Sequence, residues 1–271
     1  QTIEDAISAV TEMLSGNKFG EAGHRVVIEE FLIGEEVSFI VISDGKNILP
    51  LASSQDHKAR DEGDKGPNTG GMGAYSPAPV IDERTNERIL EEVIEPTVTG
   101  MREDGMPYVG FLYAGLMITA EGAPKVLEFN CRFGDPETQP ILFRLKSDLV
   151  PLCEKALDGS LNGVIVDWDT RAALAIVLAS DGYPANVRKG DVISGTFEII
   201  DDNVKVFHAG TISNNEEILT DGGRVLSITA LGETVKLAQI SAYKVVEQIH
   251  WKGMFFRKDI GFRAIAREER R

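Results

Sequence analysis

The sequence predicts an α+β fold, in which a mostly antiparallel sheet with helices is followed by a smaller β-rich domain. Three observations support this prediction. β-rich runs alternate with helical patterns in the first part of the chain, and residues 110–130 have the pattern of two strands joined by a turn. From about residue 165 the pattern changes to short strands with frequent turns. We therefore predict two domains, residues 1–164 and 165–271.

Composition limits the classes of partner. The chain has 271 residues, of which 42% are hydrophobic and 26% charged, an ordinary profile for a soluble protein. Its net charge of −15 argues against a broad nucleic-acid or anionic-membrane surface. Cys131 and Cys153 form no C-x-x-C pair, which favours reduced thiols. With no long apolar run and no leader pattern, we expect a cytoplasmic protein without nucleic-acid or membrane partners.

The chain begins with a predicted helix over residues 2–14, because Thr2 and Asp5 resemble a capping box and apolar residues recur on one face. Residues 25–42 follow as two β-rich runs joined across Gly34, which predicts a hairpin. Its acids and backbone groups suit the wall of a nucleotide pocket, where they would bind an adenine amino group and ribose hydroxyls. The alternative is a hairpin with acidic tips that binds nothing.

Residues 53–77 are the least regular stretch. Four glycines in the eight residues 66–73 allow backbone N–H groups to close around an anion, although the stretch is neither a Walker A sequence nor G-x-G-x-x-G. Asn68, Thr69 and Tyr75 add hydrogen-bonding groups, which favours a functional loop over a flexible linker. His57 is interpreted as an ordinary surface residue rather than a catalytic base.

The second predicted hairpin carries a candidate metal site. On a strand over residues 125–130, Glu128 and Asn130 would project together, while Leu127 and Phe129 would point into the core. A carboxylate beside an amide oxygen suits a magnesium ion that also holds nucleotide phosphates. The alternative is a solvated strand face. Directly afterwards Arg132 adds a cation, and Asp135-Pro136 has the pattern of a helix start.

The remaining elements are predicted from periodicity and turn residues. We expect a helix over residues 82–103 that Pro96 interrupts, and a helical tract from Asp135 to Asp158. In the second domain, strands are predicted over 172–179, 190–195, 205–210 and 225–231, and a helix from Thr234. Residues 257–263 form the one basic cluster of an acidic chain; it is either solvated or contacts a phosphate.

Five stretches, in this order, resemble the phosphoribosylamine–glycine ligases of the ATP-grasp superfamily. They are SQDHK (54–58), GPNTGGMGAYSP (66–77), GFLYAGL (110–116), EFNCRFGDPETQP (128–140) and RKDIG (257–261). The resemblance implies an ATP-grasp core whose front part is missing. It also implies ATP-dependent synthesis of glycinamide ribonucleotide from glycine and 5-phosphoribosylamine through a glycyl phosphate, the second step of de novo purine biosynthesis.

The family pattern also implies site residues. It places Glu29 at the adenine amino group, the backbone of Glu30, Phe31 and Leu32 along the ring, and Glu36 on the ribose. Glu128 and Asn130 match ligands of magnesium or manganese, and Arg132 is the expected catalytic cation. Six residues are expected around glycine and the sugar phosphate: Lys58, Asn68, Thr69, Gly70, Gly71 and Asp135.

Two departures from the family pattern qualify these expectations. Many ATP-grasp relatives carry a further metal-binding acid on the preceding strand, whereas residues 111–119 contain none. We also expect the chain to be the C-terminal portion of a longer enzyme, inactive by itself, and a monomer or weak homo-oligomer whose partners are small molecules. Two alternatives stay open: another ATP-grasp carboxylate–amine ligase, or a non-catalytic nucleotide-binding fragment.

Overall fold

The computed structural model describes residues 2–15, 20–195 and 201–270, which fall into two compact units, Gln1–Ile33 and Gly34–Arg271. In the first unit, helix α1 spans Ile3–Leu14 and has the predicted capping box between Thr2 and Asp5. A short 3-10 helix follows at Gly20–His24. Among the helices of the described residues, none is long and apolar enough to cross a bilayer.

The predicted strand over residues 25–33 is wrong. These residues carry no assigned strand, and the first strand begins at Glu35. A β-strand is stabilised by hydrogen bonds to a neighbouring strand, and residues 25–33 pair with none among the described residues. The Val and Ile content therefore indicated β propensity without a partner, and Phe31 is 82% exposed.

The second unit begins with a four-stranded antiparallel sheet. Its strands are β1 (Glu35–Asp44), β2 (Ile48–Pro50), β7 (Val109–Ile118) and β8 (Pro124–Asn130), in the order β2-β1-β7-β8. One face of β1 packs Phe39 and Val41 against the helices that follow residue 82, and the other packs Ile40 and Ile42 against Ile141 and its neighbours. The central strands are therefore buried on both faces.

Strand β8 confirms the predicted hairpin but not the predicted core contacts. It is an edge strand, and a bulge interrupts its register with β7 between Gly115 and Leu116. Phe129 is 40% exposed, so it does not point into the core as expected. An edge strand has a neighbouring strand on one side only, so fewer neighbouring side chains cover its residues.

A second, five-stranded sheet contains β3 (Gln55–Asp56), β6 (Gly73–Ser76), β9 (Ala172–Ala179), β11 (Val204–His208) and β14 (Arg224–Gly232), in the order β11-β14-β9-β6-β3. The predicted strands at 172–179 and 225–231 are thus confirmed, whereas the pattern at 190–195 gives only the two-residue strand β10, Ser194–Gly195. Since β3 and β6 precede residue 164 and pair into this sheet, it joins both predicted domains; the boundary itself stays a prediction.

Helices cover these sheets. They are α2 (Glu83–Ile89), a π-helical turn (Leu90–Ile94), α3 (Glu95–Glu103), α4 (Thr138–Arg144), α5 (Leu149–Leu157), α6 (Val235–Val246) and α7 (Phe262–Glu268). Pro96 lies in the first turn of α3, so it interrupts the helix as predicted. The predicted helix start at Asp135-Pro136 is wrong, because α4 begins at Thr138 and the Asp135 carboxylate accepts a hydrogen bond from Arg224 instead.

Short strands complete the second unit. They are β4 (Ala59–Asp61), β5 (Lys65–Asn68), β12 (Thr211–Asn214), β13 (Glu217–Thr220) and β15 (Ile249–His250). Strands β4 and β5 form a hairpin within the glycine-rich stretch.

A buried polar network attaches this hairpin to the predicted basic cluster. Arg257 is 1% exposed; it donates to the carbonyl of Ala59 and to Asp64, both at 3.0 Å, and to Asp259 at 2.8 Å. Arg263 also donates to Asp64. A guanidinium engaged in this way is a structural clamp, so the Arg257 side chain is not free to contact a phosphate.

His57 belongs to the same network and is buried, contrary to the expected surface position. Its Nε2 accepts a hydrogen bond from the N–H of Gly261 at 2.9 Å, and its Nδ1 faces Asp64 at 3.7 Å. Burial lowers the pKa of His57, although Asp64 opposes the shift. An acceptor Nε2 requires the neutral imidazole with its proton on Nδ1.

We predict that His57 makes the protein less stable as the pH falls. Below about pH 6.5 the unfolded state takes up a proton that native His57 does not bind, and linkage then lowers the free energy of unfolding, by at most about 1.4 kcal/mol per pH unit for one proton. Urea unfolding between pH 8 and pH 5 measures this slope. His57→Gln should flatten it, whereas replacing the exposed His250 should not. Equal slopes in wild type and His57→Gln would contradict the assignment.

Candidate active site

The candidate site lies on one face of the four-stranded sheet. Ser38 on β1 and Glu128 on β8 both pair with Gly115 on β7, so the three residues form one row across the sheet. Asn130, two residues along β8, pairs with Tyr113 in the next row of the same face. Glu128 and Asn130 therefore project together, as the sequence predicted.

Gly115 provides the space for this arrangement. A Cβ atom at this position would lie 3.1 Å from Cγ of Glu128, closer than ordinary packing allows. The Glu128 side chain thus lies across β7 at the point where that strand has no side chain. This close contact brings its carboxylate towards β1.

Lys58 joins the two outer strands of this face. Its ammonium donates a hydrogen bond to Glu36 on β1 and lies 3.6 Å from Oε1 of Glu128. Burial lowers the pKa of Lys58, but Glu36, Glu128 and Asp56 together outweigh that effect, so the pKa is raised. The ammonium is therefore charged and held between carboxylates.

The glycine-rich loop fixes the backbone of Lys58. The N–H and Oγ1 of Thr69 both donate to the carbonyl of Lys58, at 2.7 and 2.9 Å, and the N–H of Gly71 donates to Thr69 Oγ1 at 3.0 Å. Asn68 ends β5 and pairs with Ala59. These contacts position Lys58 through its main chain, so Thr69 has a structural role that glycine content alone did not reveal.

Asp56 lies next to the same loop. Its Oδ1 is buried and makes no hydrogen bond, and a Cβ atom at Gly71 would lie 2.7 Å from it. Burial, and then the negative charge of Glu137, raise the pKa of Asp56 well above its usual value. Sequence reasoning missed Asp56, and the only available signal was its position beside Lys58.

Glu137 is a buried carboxyl group of the site. It is 2% exposed, and its Oε1 accepts hydrogen bonds from Ser38 at 2.7 Å and from Tyr113 at 3.0 Å. Burial and the Glu137 carboxylate raise the pKa of Tyr113, which keeps the phenol a donor. Glu137 also escaped sequence reasoning, because its partners come from β1 and β7, which are distant in the chain.

These residues leave an excess of negative charge. We call Lys58, Glu36, Asp56, Glu128 and Glu137 the Lys58 cluster; it contains one cation and four carboxyl groups. In the part of the chain that the structure describes, no group of three or more His, Cys, Asp or Glu side chains forms a ready-made metal centre. Metal binding there would depend on few protein ligands, as is usual for magnesium.

The remaining predicted residues lie in three places. Arg132 is exposed and donates to the carbonyl of Phe133 at 2.8 Å and to Oδ1 of Asn130 at 3.4 Å. Asp135 pairs with Arg224 at 2.7 Å, and Arg224 also donates to the carbonyl of Gly70. Glu29, Glu30, Phe31 and Leu32 belong to the first compact unit.

Comparison with known proteins identifies the family. The model of the phosphoribosylglycinamide synthetase ATP-grasp (A) domain matches residues 1–138, about half of the chain, and the model of the C domain of the same synthetase matches residues 173–263. The chain belongs to the phosphoribosylglycinamide synthetase family. The family's fold, an ATP-grasp core followed by a C-terminal domain, agrees with the predicted α+β class.

Individual members of the family are similar over nearly the whole chain. Phosphoribosylamine–glycine ligase of Yersinia pestis is 61% identical over 98% of this chain, and that of Haemophilus influenzae is 63% identical over 98%. The chain spans 62% of the length of each of these relatives. The crystal structure of the Thermotoga maritima ligase has a TM-score of 0.81 and 35% identity, covering 93% of this chain and 63% of that one.

We predict that replacing Asp56 with Asn stabilises the protein near neutral pH. The raised pKa means that the native state keeps a proton which the unfolded state has lost, so stability falls as the pH rises from about 4. Asn does not ionise, so the variant avoids the cost of burying a carboxylate at this position. Its Tm at pH 8 should therefore increase by about 3 °C for each 1 kcal/mol gained. The increase should shrink as the pH falls towards 4.

Asp44→Asn is the matched control in thermal unfolding. The Asp44 carboxylate accepts backbone hydrogen bonds from Lys46 and Asn47, at 2.9 and 2.6 Å, and although burial opposes them, its pKa is lowered. Its replacement should lower Tm at pH 8. A lower Tm for Asp56→Asn as well would contradict the raised pKa of Asp56.

Proposed function

We propose that the full-length protein containing this chain ligates glycine to 5-phosphoribosylamine, using ATP and forming a glycyl phosphate, to give glycinamide ribonucleotide, ADP and phosphate. This is the second step of de novo purine biosynthesis. The single observation that carries the proposal is the family match over both halves of the chain. The Lys58 cluster supports it, because positioning and charge neutralisation are the main demands of phosphoryl transfer.

Glu128 and Asn130 fit a divalent cation, magnesium or manganese. Both offer oxygen atoms on the same face of β8, and the Glu128 side chain is 51% exposed. An oxygen donor set of this kind suits a hard cation. When bound, the ion supplies charge neutralisation to the phosphates of ATP.

The nucleotide is proposed to bind through the residues that the family pattern indicated. Glu29 and the backbone of Glu30, Phe31 and Leu32 would contact adenine, and Glu36 would contact the ribose. In the structure Glu36 holds Lys58 through one carboxylate oxygen, which leaves the other oxygen for a ribose hydroxyl.

Two cations would act on the reacting groups. Lys58 and Arg132 supply positive charge, which offsets the charge on the phosphoryl group and the glycine carboxylate. The amine then attacks the glycyl carbon: a C–N bond forms, the bond from that carbon to the phosphate oxygen breaks, and the nitrogen loses a proton. The released phosphate is proposed to take up this proton.

The loop and its surroundings complete the proposed site. Asn68, Thr69, Gly70, Gly71 and Asp135 are proposed to enclose glycine and the sugar phosphate. The proposed partners are small molecules only, and the proposed setting is the cytoplasm, with the protein a monomer or weak homo-oligomer.

We predict that the full-length protein releases ADP only when glycine and phosphoribosylamine are both present. We also predict that Glu128→Gln lowers kcat/KM at least about 100-fold, because it removes a charged ligand and weakens binding of the cation. Coupled ADP release measures both. In thermal unfolding, manganese should raise Tm of wild type more than Tm of Glu128→Gln.

The matched control is Glu87→Gln, on the exposed side of α2, which should behave as wild type. ADP release with a different carboxylate or amine would instead support another ATP-grasp ligase. Nucleotide binding without turnover in the full-length protein would support a non-catalytic nucleotide-binding module.

A further inference from the structure

A cavity of about 360 Å³ lies where the segment from Asp135 to Gln139 meets the five-stranded sheet. We call it the Arg224 cavity; Asp135, Pro136, Gln139, Tyr183, Arg224 and Ser227 are among the residues that line it. Its volume lies in the range of small-molecule sites and far exceeds what the two carbons of glycine require. Of the lining residues named here, only Asp135 has a role in the function proposed above.

Two polar atoms of its lining are buried without a hydrogen-bond partner. They are Oε1 of Gln139 and Oγ of Ser227, a residue that is only 3% exposed. Leaving a buried polar atom unpaired costs about 1–3 kcal/mol, and an incoming hydroxyl group would remove that cost. The two atoms therefore point to a ligand that carries hydroxyl groups.

The rim of the cavity contains one cation held by the glycine-rich loop. Arg224 donates to the carboxylate of Asp135 at 2.7 Å and to the carbonyl of Gly70, and its side chain remains 21% exposed. The N–H of Gly70 donates to the hydroxyl of Tyr183 at 2.9 Å. A Cβ atom at Gly223 would lie 2.3 Å from the Tyr183 ring, so a larger residue there would displace the ring from the rim.

The cavity adjoins the Lys58 cluster through Gly71. A Cβ atom at Gly71 would lie 2.3 Å from Cδ of Pro136, which lines the cavity, and 2.7 Å from Oδ1 of Asp56. Gly71 thus separates the cavity from Asp56 by the thickness of one backbone.

We propose that the Arg224 cavity binds the pentose 5-phosphate part of the amine substrate, an assignment that rests on the function proposed above. The sugar hydroxyls donate hydrogen bonds to Gln139 Oε1 and form hydrogen bonds with Ser227 Oγ, the phosphate lies at the rim within reach of Arg224, and the amine end lies on the Gly71 side of the cavity. Ser227 and Gln139 are then specificity-determining residues for the amine substrate, separate from the groups that bind ATP.

The test uses the full-length protein with Ser227→Val and Gln139→Leu. Thr229→Val is the matched control, because Thr229 lies on the same strand, is fully buried and has an unpaired hydroxyl, yet does not line the cavity. The KM for phosphoribosylamine should rise about tenfold in the two cavity variants, more than the KM for ATP or glycine, while Thr229→Val behaves as wild type.

Binding of stable probes gives a second measurement. Ribose 5-phosphate should bind wild type and Thr229→Val more tightly than the cavity variants by about the same factor, and more tightly than ribose or inorganic phosphate alone. Equal affinity for inorganic phosphate would overturn the pentose assignment in favour of a simple anion site. If Ser227→Val does not fold, the same measurements are made on Ser227→Ala, provided that its Tm is unchanged.

The two proposals can fail separately. ADP release that requires both glycine and phosphoribosylamine reports on the proposed function in wild type. If wild type releases ADP in this way and both cavity variants keep the wild-type KM for phosphoribosylamine, the cavity assignment is wrong. If wild type releases no ADP under these conditions, the proposed function itself is wrong.

Discussion

The site depends on a single ammonium group that is shared between strands. Lys58 contacts Glu36 on β1 and Glu128 on β8, two strands separated by β7, and it can do so because Gly115 leaves the intervening position without a side chain. Carboxyl groups outnumber cations in this cluster, so the arrangement carries unbalanced negative charge. Burial, and after it the negative charge of Glu137, raise the pKa of Asp56, and a bound divalent cation would offset that negative charge.

Close backbone packing connects this cluster to the rest of the second unit. Gly71 lies between Asp56 and Pro136 at distances that no larger residue could occupy, and Thr69 holds the main chain of Lys58. The loop is anchored on its other side by Arg224, which comes from the start of β14. Glycine at position 71 thus allows the loop backbone to pack closely against its neighbours, so that side chains from both sheets lie near one another.

The part of the site that follows from local periodicity could be predicted from the sequence. Two-residue alternation is enough to place Glu128 and Asn130 on one face, and the hairpin formed as expected. Glu137 and Arg224 could not be found in this way, since their partners are 24 to 154 residues away in sequence. Predictions from local patterns were wrong at positions whose structure depends on long-range contacts. Asp135 pairs with Arg224 rather than capping a helix, and residues 25–33 had β propensity but no partner strand among the described residues.

We propose that Glu128 and Asn130 hold a divalent cation beside Lys58. Crystals of the full-length protein grown with manganese and ADP test it directly, because manganese can be located by its anomalous scattering. Our account predicts a peak within about 2.5 Å of both the Glu128 carboxylate and Oδ1 of Asn130. A manganese peak elsewhere, with these two side chains making no contact to the ion, would contradict it.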